Sequence, residues 1–287
     1  MKLFRFGQKD GEKPGVILPG GRRIDVSGFG ETYDEHFFGN DGVTRLAAWI
    51  DKNHPRVPIV SDHERIGSAV CRPSKIICIG LNYVDHARET GAEIPKEPVI
   101  FFKSTSALSG PFDDLWIPKN GIKVDWEVEL GFVISKRAKC ISAERAMEHV
   151  AGFVAHNDYS ERFFQLERAG QWVKGKSCDT FAPIGPWLAT TDELPHFRNL
   201  PLWLTVNGEK RQNSNTSNMI FDIPTLVSYL SHFMTLLPGD IVSTGTPPGV
   251  GLGFNPPIYL RAGDIVEYGI EGLGTGRQRV VPDPEVL

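Results

Sequence analysis

Apolar and polar positions along this chain change period several times, and each change predicts an element. Residues 2–6 and 14–18 read as short strands, and Pro19-Gly20-Gly21 marks a turn between two such runs. Over residues 42–53, Val43, Leu46, Ala47 and Ile50 share one helical face, which predicts a helix. His54-Pro55 and Val57-Pro58 then break the pattern, and the stretch up to Pro73 has loop character. Residues 1–70 are therefore read as a small N-terminal domain and residues 71–287 as the main one. From Ile76 the texture turns strand-like. Ile76-Ile77-Cys78-Ile79 is a continuous apolar run closed by Gly80, residues 150–156 form another, and 124–134, 201–206 and 264–270 alternate. Helical spacing is confined to 83–90, 142–149, 160–169 and 222–235, with 30 glycines and 21 prolines punctuating the remainder. Many short strands and few helices predict an α+β fold, mostly β.

Composition then narrows the function classes. A 40% hydrophobic and 23% charged share over 287 residues is that of a globular protein with a sizeable core. The formal net charge of −4, with no block of like charges, argues against a nucleic-acid partner, which selects a basic face. No apolar run is long enough to cross a bilayer, and the N-terminus lacks the apolar stretch and cleavage pattern of a signal peptide. Cys71, Cys78, Cys140 and Cys178 form no CxxC pair and no zinc-like grouping with histidines. Reduced thiols and a cytoplasmic location are expected.

The segment VDWEVELGFVI, residues 124–134, carries an excess of carboxylates. Alternation places Asp125, Glu127 and Glu129 on one face, followed by Phe132 and Ile134 if the register drifts little, and Trp126, Val128, Leu130 and Val133 or its neighbour on the other. Three successive like charges repel, and burial would add a desolvation cost to each. A hard divalent cation such as Mg²⁺ removes both problems; a solvated edge strand avoids them as well. Asp158 ends the 150–156 strand ahead of a helical pattern, as an N-cap or as a third carboxylate ligand, and Arg162 and Gln165 follow on nearly the same face. Within Gly80–Gly91, Asn82 is a candidate N-cap and Gly91 a helix stop. His86 and Glu89 then share a face, either as ordinary surface residues or as a general base with its orienting carboxylate. Lys174 and Lys176 are solvated loop lysines or, if held in a pocket, stabilisers of an oxyanion or enolate. The Gly/Pro-rich stretch at 240–253 offers backbone N–H groups to anions. It is neither a P-loop nor a Rossmann fingerprint, and the chain has no G-x-S-x-G elbow.

Taken in order, GLNYVDHARETG, EVEL, HNDYSER with Gln165, KGKSCDTFAPIGP and STGTPPGVG closely resemble the fumarylacetoacetate hydrolase family over about residues 75–281. The first 70 residues resemble the smaller N-terminal domain of many members. The resemblance implies a mixed, mostly β roll with a small α/β N-terminal domain. It implies a Mg²⁺ or Mn²⁺ site on Glu127, Glu129 and Asp158, and a His86–Glu89 dyad that activates water. It also implies Lys176 as the active-site lysine, Arg162, Gln165 and Thr246 as substrate contacts, Lys103 near the pocket, and a homodimer. Asn218 departs from the family, which often has aspartate there, and a structural role is expected. GQWVKGKSCDTFAPIGP and SYLSHFMTLLPGDIVSTGTP look most like the bacterial branch that hydrolyses 2,4-diketo-3-deoxy-L-rhamnonate or L-fuconate to pyruvate and lactate. Decarboxylation or tautomerisation of a 2-oxo acid, and ureidoglycolate lyase-type activity, are the alternatives on the same metal site.

Overall fold

The apolar run that follows the acidic residues fixes the centre of the molecule. Val128–Ile134 is buried along its whole length, which no solvated edge strand is. The computed structural model describes residues 1–85 and 94–285. Its strands are β1 (Lys2–Phe6), β2 (Lys13–Ile17), β3 (Arg23–Asp25), β4 (Ile66–Gly67), β5 (Ile76–Gly80), β6 (Val99–Lys103), β7 (Leu108–Ser109), β8 (Leu115–Ile117), β9 (Val124–Asp125) and β10 (Val128–Ile134). They continue with β11 (Val150–Asn157), β12 (Ser160–Glu161), β13 (Ala182–Pro183), β14 (Leu188–Thr190), β15 (Pro201–Val206), β16 (Glu209–Asn215), β17 (Ile241–Ser243), β18 (Ile265–Ile270) and β19 (Gly274–Pro282). The α-helices are α1 (Glu35–Gly39), α2 (Gly42–Asn53), α3 (Arg162–Leu166), α4 (Val173–Lys176) and α5 (Ile223–Phe233).

A ten-stranded mixed sheet runs β3-β2-β1-β14-β11-β10-β17-β5-β6, with β4 paired to β1. The β17–β5 pair is parallel and its neighbours are antiparallel. Because β1 pairs with β14, the N-terminal strands and the main body share this sheet. A second sheet, β16-β15-β18-β19-β8, packs on one face. Val128, Leu130, Phe132 and Ile134 enter the core between the sheets with Leu202, Leu204, Val266 and Tyr268. Val133 turns to the other face, where Phe37, Phe38, Leu46 and Ile50 of α1 and α2 cover it. Phe132 and Ile134 therefore lie opposite the carboxylates and not on their face as expected: β10 alternates regularly, which groups even-numbered positions with Val128 and Leu130, and the one register shift skips Ala151 of β11.

Helix α2 spans the predicted residues and buries Leu46 and Ile50. Asp222 caps α5 by accepting from Thr225 N, with proline in the first turn. The segment 142–149 winds as a 3₁₀ helix over Ala143–His149. The stretch expected to be helical from 160 begins as β12, paired with β9, and is helical only over Arg162–Leu166. The Asn82 side chain donates to Phe221 O and Thr244 O and accepts from Phe221 N. Most of the predicted 83–90 helix lies outside the described residues. No described helix is long and apolar enough to cross a membrane, and all four cysteines are free thiols.

Candidate metal centre and active site

Strand register brings the acidic residues together. In the antiparallel β10–β11 pair, Val128 lies opposite Asn157 and Glu129 opposite His156. Glu127, just before β10, and Asp158, just after β11, therefore meet at one end of the pair. There Asp158 N donates to Glu127 O at 2.8 Å, and Glu127 N donates to Asn157 Oδ1 at 2.8 Å. One carboxylate oxygen from each of Glu127, Glu129 and Asp158 lies within 4.8 Å of the others. All three residues are buried, at 7%, 1% and 0% exposure. Asp158 is not the cap of α3; Glu161 takes that place, accepting from Phe163 N at 2.9 Å.

Asp125, on the same face of the acidic strand, stands outside this triad. It accepts from Arg162 Nε at 2.8 Å and from the backbone of Gly251 and Leu252 at 2.6 and 3.0 Å. Gly245 N donates to Glu129 at 2.9 Å. The Gly/Pro-rich loop does present its N–H groups to anions, as its composition suggested, and these anions are the protein's own carboxylates. Gly245 has φ +95°, and a Cβ there would meet Ile79 O and Asn82 Cβ at 2.9 Å, so glycine alone lets the loop close on Glu129.

Three cations surround the triad. Lys176 Nζ lies 2.7 Å from both Glu127 Oε2 and Asp158 Oδ2. Lys103 Nζ binds Asp158 Oδ1 and, at 2.9 Å, Tyr159 O. Arg162 reaches Glu127 Oε1 at 2.6 Å and Gln165 Oε1 at 3.0 Å. Lys176 arrives through a close helix approach: a Cβ on Gly175 would meet Glu161 O at 2.3 Å and Gln165 Cβ at 2.6 Å. Lys174 is solvated, its ammonium on Arg168 O at 2.8 Å.

Among the described residues, four buried carboxylates thus face three buried cations, one positive charge short of balance. The deficit falls on Glu129: burial, with Asp158 and Glu127 alongside, raises its carboxyl well above the usual range. Burial pushes Asp158 the same way, but Lys103 and Lys176 win and hold it below its ordinary value. Lys176 keeps its proton against burial because Asp158 and Glu127 flank it. The donor set is all oxygen and hard, which fits Mg²⁺ or Mn²⁺ and not a thiolate- or imidazole-seeking metal. A cleft of about 360 Å³ opens over Glu127, Glu129, Lys176, Arg162, Gln165 and Thr246. The Thr246 hydroxyl is already committed, donating to Val128 O at 3.0 Å and accepting from Gln212 Nε2 at 2.8 Å. Lys103 does not line the cleft; it stands behind Asp158. Asn218 donates to Ser214 Oγ and to Asp85 Oδ2, both at 3.1 Å. His86 and Glu89 lie outside the described residues.

The family model described as fumarylacetoacetate (FAA) hydrolase C-terminal matches residues 75–281. The chain belongs to the fumarylacetoacetate hydrolase family. A protein of Burkholderia multivorans is 51% identical over 275 residues, 96% of either chain, and its name specifies no substrate. Among solved structures, a maleylpyruvate hydrolase from Sphingobium sp. SYK-6, in complex with manganese(II) and pyruvate, matches with TM-score 0.81 and 29% identity, over 98% of this chain and 99% of that one. A 5-carboxymethyl-2-hydroxymuconate delta-isomerase from Mycobacterium smegmatis matches with TM-score 0.74 and 33% identity over 99% of both chains. The family thus holds hydrolases and isomerases, and the buried triad of this member suits a divalent metal.

Two residues of this fumarylacetoacetate hydrolase-family site escaped the sequence reading. Ser243 Oγ donates to Glu129 Oε2, and its lone pair meets His156 Nδ1 at 2.7 Å. Since the serine proton is spent on Glu129, His156 must donate from Nδ1, leaving Nε2 buried with no partner. That is the arrangement of a neutral imidazole: burial pushes His156 down to about 3, against the pull of Asp158 and with Lys103 and Lys176 adding to the fall. The STGTP motif had drawn attention to Thr246, and its serine went unread. His156 carries no signal of its own, because its place opposite Glu129 depends on strand register.

Proposed function

We propose that this protein is a divalent-metal-dependent hydrolase that cleaves a C–C bond in a small 2,4-dioxo acid. The observation that carries the reading is the buried Glu127–Glu129–Asp158 triad, two of whose members, Glu127 and Glu129, line the cleft, flanked by Lys176 and Arg162. A divalent ion held by these three carboxylates would supply the positive charge that binds a 2-oxo carboxylate and accepts the charge left when C3–C4 breaks. Lys176 spends two of its three N–H bonds on Glu127 and Asp158, and the third is assigned to the oxyanion that water attack creates at C4. Arg162 holds Glu127 and Gln165 in place, so the Gln165 amide N–H₂ stays free to join Lys176 at that oxygen. Lys103 keeps Asp158 ionised from behind. His86, oriented by Glu89, is assigned the proton of the attacking water; this role rests on the family resemblance.

Within this class we place 2,4-diketo-3-deoxy-L-rhamnonate first, which is the same 5-hydroxy-2,4-dioxohexanoate that L-fuconate gives once C2 and C4 are carbonyls, on the resemblance of residues 170–186 and 228–247 to that branch. A cytoplasmic homodimer with no nucleic-acid or membrane partner completes the reading. The second reading is tautomerisation or decarboxylation, favoured by the isomerase among the structural relatives. It needs charge stabilisation on the 2-oxo side but no attacking water. Product analysis by NMR separates the two: pyruvate plus a hydroxy acid means hydrolysis, whereas an isomerised but unbroken carbon skeleton means tautomerisation.

A further inference from the structure

The cleft has two unlike ends. At its floor, the charged side chains are engaged with one another: Lys176 with Glu127 and Asp158, Arg162 with Asp125, Glu127 and Gln165. Most of the remaining described lining is apolar, comprising Ile79, Phe101, Leu166, Trp172, Val250 and Leu252 among others. Trp172 meets Phe101 edge-on with ring centroids 5.4 Å apart, and packs so close to Gly80 that a Cβ there would lie 3.1 Å from its ring. Phe101 joins the two ends, its ring centroid 4.8 Å from Lys176 Nζ. At the mouth, the large apolar side chains of Leu166 and Leu252 are left 44% and 38% exposed.

Charge counting points the same way. Among the described residues, four carboxylates and three cations leave one negative charge, and a divalent ion would turn that into one positive charge. One substrate carboxylate restores neutrality. A second, at the far end of the substrate, would lie against Trp172, Leu166 and Leu252, where no described lining residue offers a cation, and would lose hydration without a partner.

We propose that the substrate is a monocarboxylate whose group beyond C4 is uncharged and largely apolar, and that the wall formed by Phe101, Trp172, Leu166 and Leu252 selects it against dicarboxylates. This rests on the hydrolase reading above and adds the feature by which the site chooses among 2,4-dioxo acids. The lactyl end of the rhamnonate-derived acid is a small member of the class; alkyl or aryl acyl groups fill more of the wall.

The test is a matched pair, 2,4-dioxooctanoate and 2,4-dioxooctanedioate, which differ only in a terminal methyl or carboxylate. With Mn²⁺ present, kcat/KM is expected to be about tenfold or more higher for the monocarboxylate. From 2,4-dioxopentanoate to 2,4-dioxooctanoate it should rise about three- to fourfold per methylene. Leu166→Arg, at an exposed position, sets a cation at the mouth and should shift the ratio toward the dicarboxylate. Equal or better turnover of the dicarboxylate by the wild type overturns this inference and leaves the hydrolase reading standing. A ratio unmoved by Leu166→Arg overturns the assignment of the wall. Turnover of neither acid overturns the hydrolase reading and this inference together.

Discussion

Replacing Ser243 with alanine should weaken metal binding without opening the triad. The hydroxyl gives Glu129 Oε2 one of its two hydrogen bonds, the other coming from Gly245 N at 2.9 Å. Glu129 is the triad member whose ionisation is least favoured, because burial, Asp158 and Glu127 all oppose it. It must be ionised to hold a cation. A hydrogen bond to a charged, buried acceptor contributes about 1.5–3 kcal/mol, so its loss should weaken Mn²⁺ binding by roughly 10- to 150-fold. That range overlaps the roughly 10- to 100-fold measured for outer partners of metal ligands elsewhere. Isothermal titration of Mn²⁺ into the metal-free protein reads the effect directly. His156→Leu should show a smaller loss, since the Ser243 proton is then no longer directed at Glu129. His156→Asn, which can return an N–H donor near Nδ1, should recover most of it. In the Ser243→Ala background, His156→Leu should add nothing, a coupling that a double-mutant cycle resolves. Wild-type Mn²⁺ affinity in Ser243→Ala would refute the relay.

Glu127→Ala should abolish both Mn²⁺ binding and turnover, whereas His86→Ala should keep Mn²⁺ binding and lose hydrolysis; a full hydrolytic rate in His86→Ala would remove that residue from the water-activating role. A proton on Glu129 competes with the ion, and its carboxyl titrates well above the usual range. The Mn²⁺ Kd should therefore tighten as pH rises, about tenfold per pH unit while one proton is released, and level off above that carboxyl's own pKa. Titration in buffers of different ionisation enthalpy counts the proton, and a pH-independent Kd would contradict the assignment. Asp125→Ala strands the buried Arg162 Nε and two loop N–H groups, Gly251 and Leu252. It should cost about 3–5 kcal/mol of stability, seen as a lower thermal midpoint even without metal.

Much of the frame was legible in local pattern. The helix over 42–53 and the strands at 2–6, 76–80, 201–206 and 265–270 follow from apolar spacing that tertiary contacts did not override. The non-local features were not. Spacing could not tell a solvated edge strand from the centre of a ten-stranded sheet, because that depends on β11 and β17 flanking β10. Asp158 could as well have been a cap, until β12 took up residues 160–161 and moved the start of α3 to Arg162, with Glu161 as its cap. Lys176 looked like a loop lysine, and only the contact of Gly175 with Glu161 and Gln165 explains why it enters the site while Lys174 does not. Ser243 and His156 act through register with Glu129, which a single sequence does not contain. The site residues named at the outset came from ordered motifs resembling a family; the geometry brings Glu127, Glu129, Asp158, Arg162, Gln165 and Lys176 together, while His86 and Glu89 lie outside the described residues.

The most direct test of the central claim is an NMR product analysis of the Mn²⁺-loaded protein with 2,4-diketo-3-deoxy-L-rhamnonate, run in parallel with EDTA. Stoichiometric pyruvate and lactate, absent with EDTA and in Glu127→Ala, is the predicted result. An unbroken carbon skeleton, or pyruvate formed equally well with EDTA present, would contradict a metal-dependent C–C hydrolase on this triad.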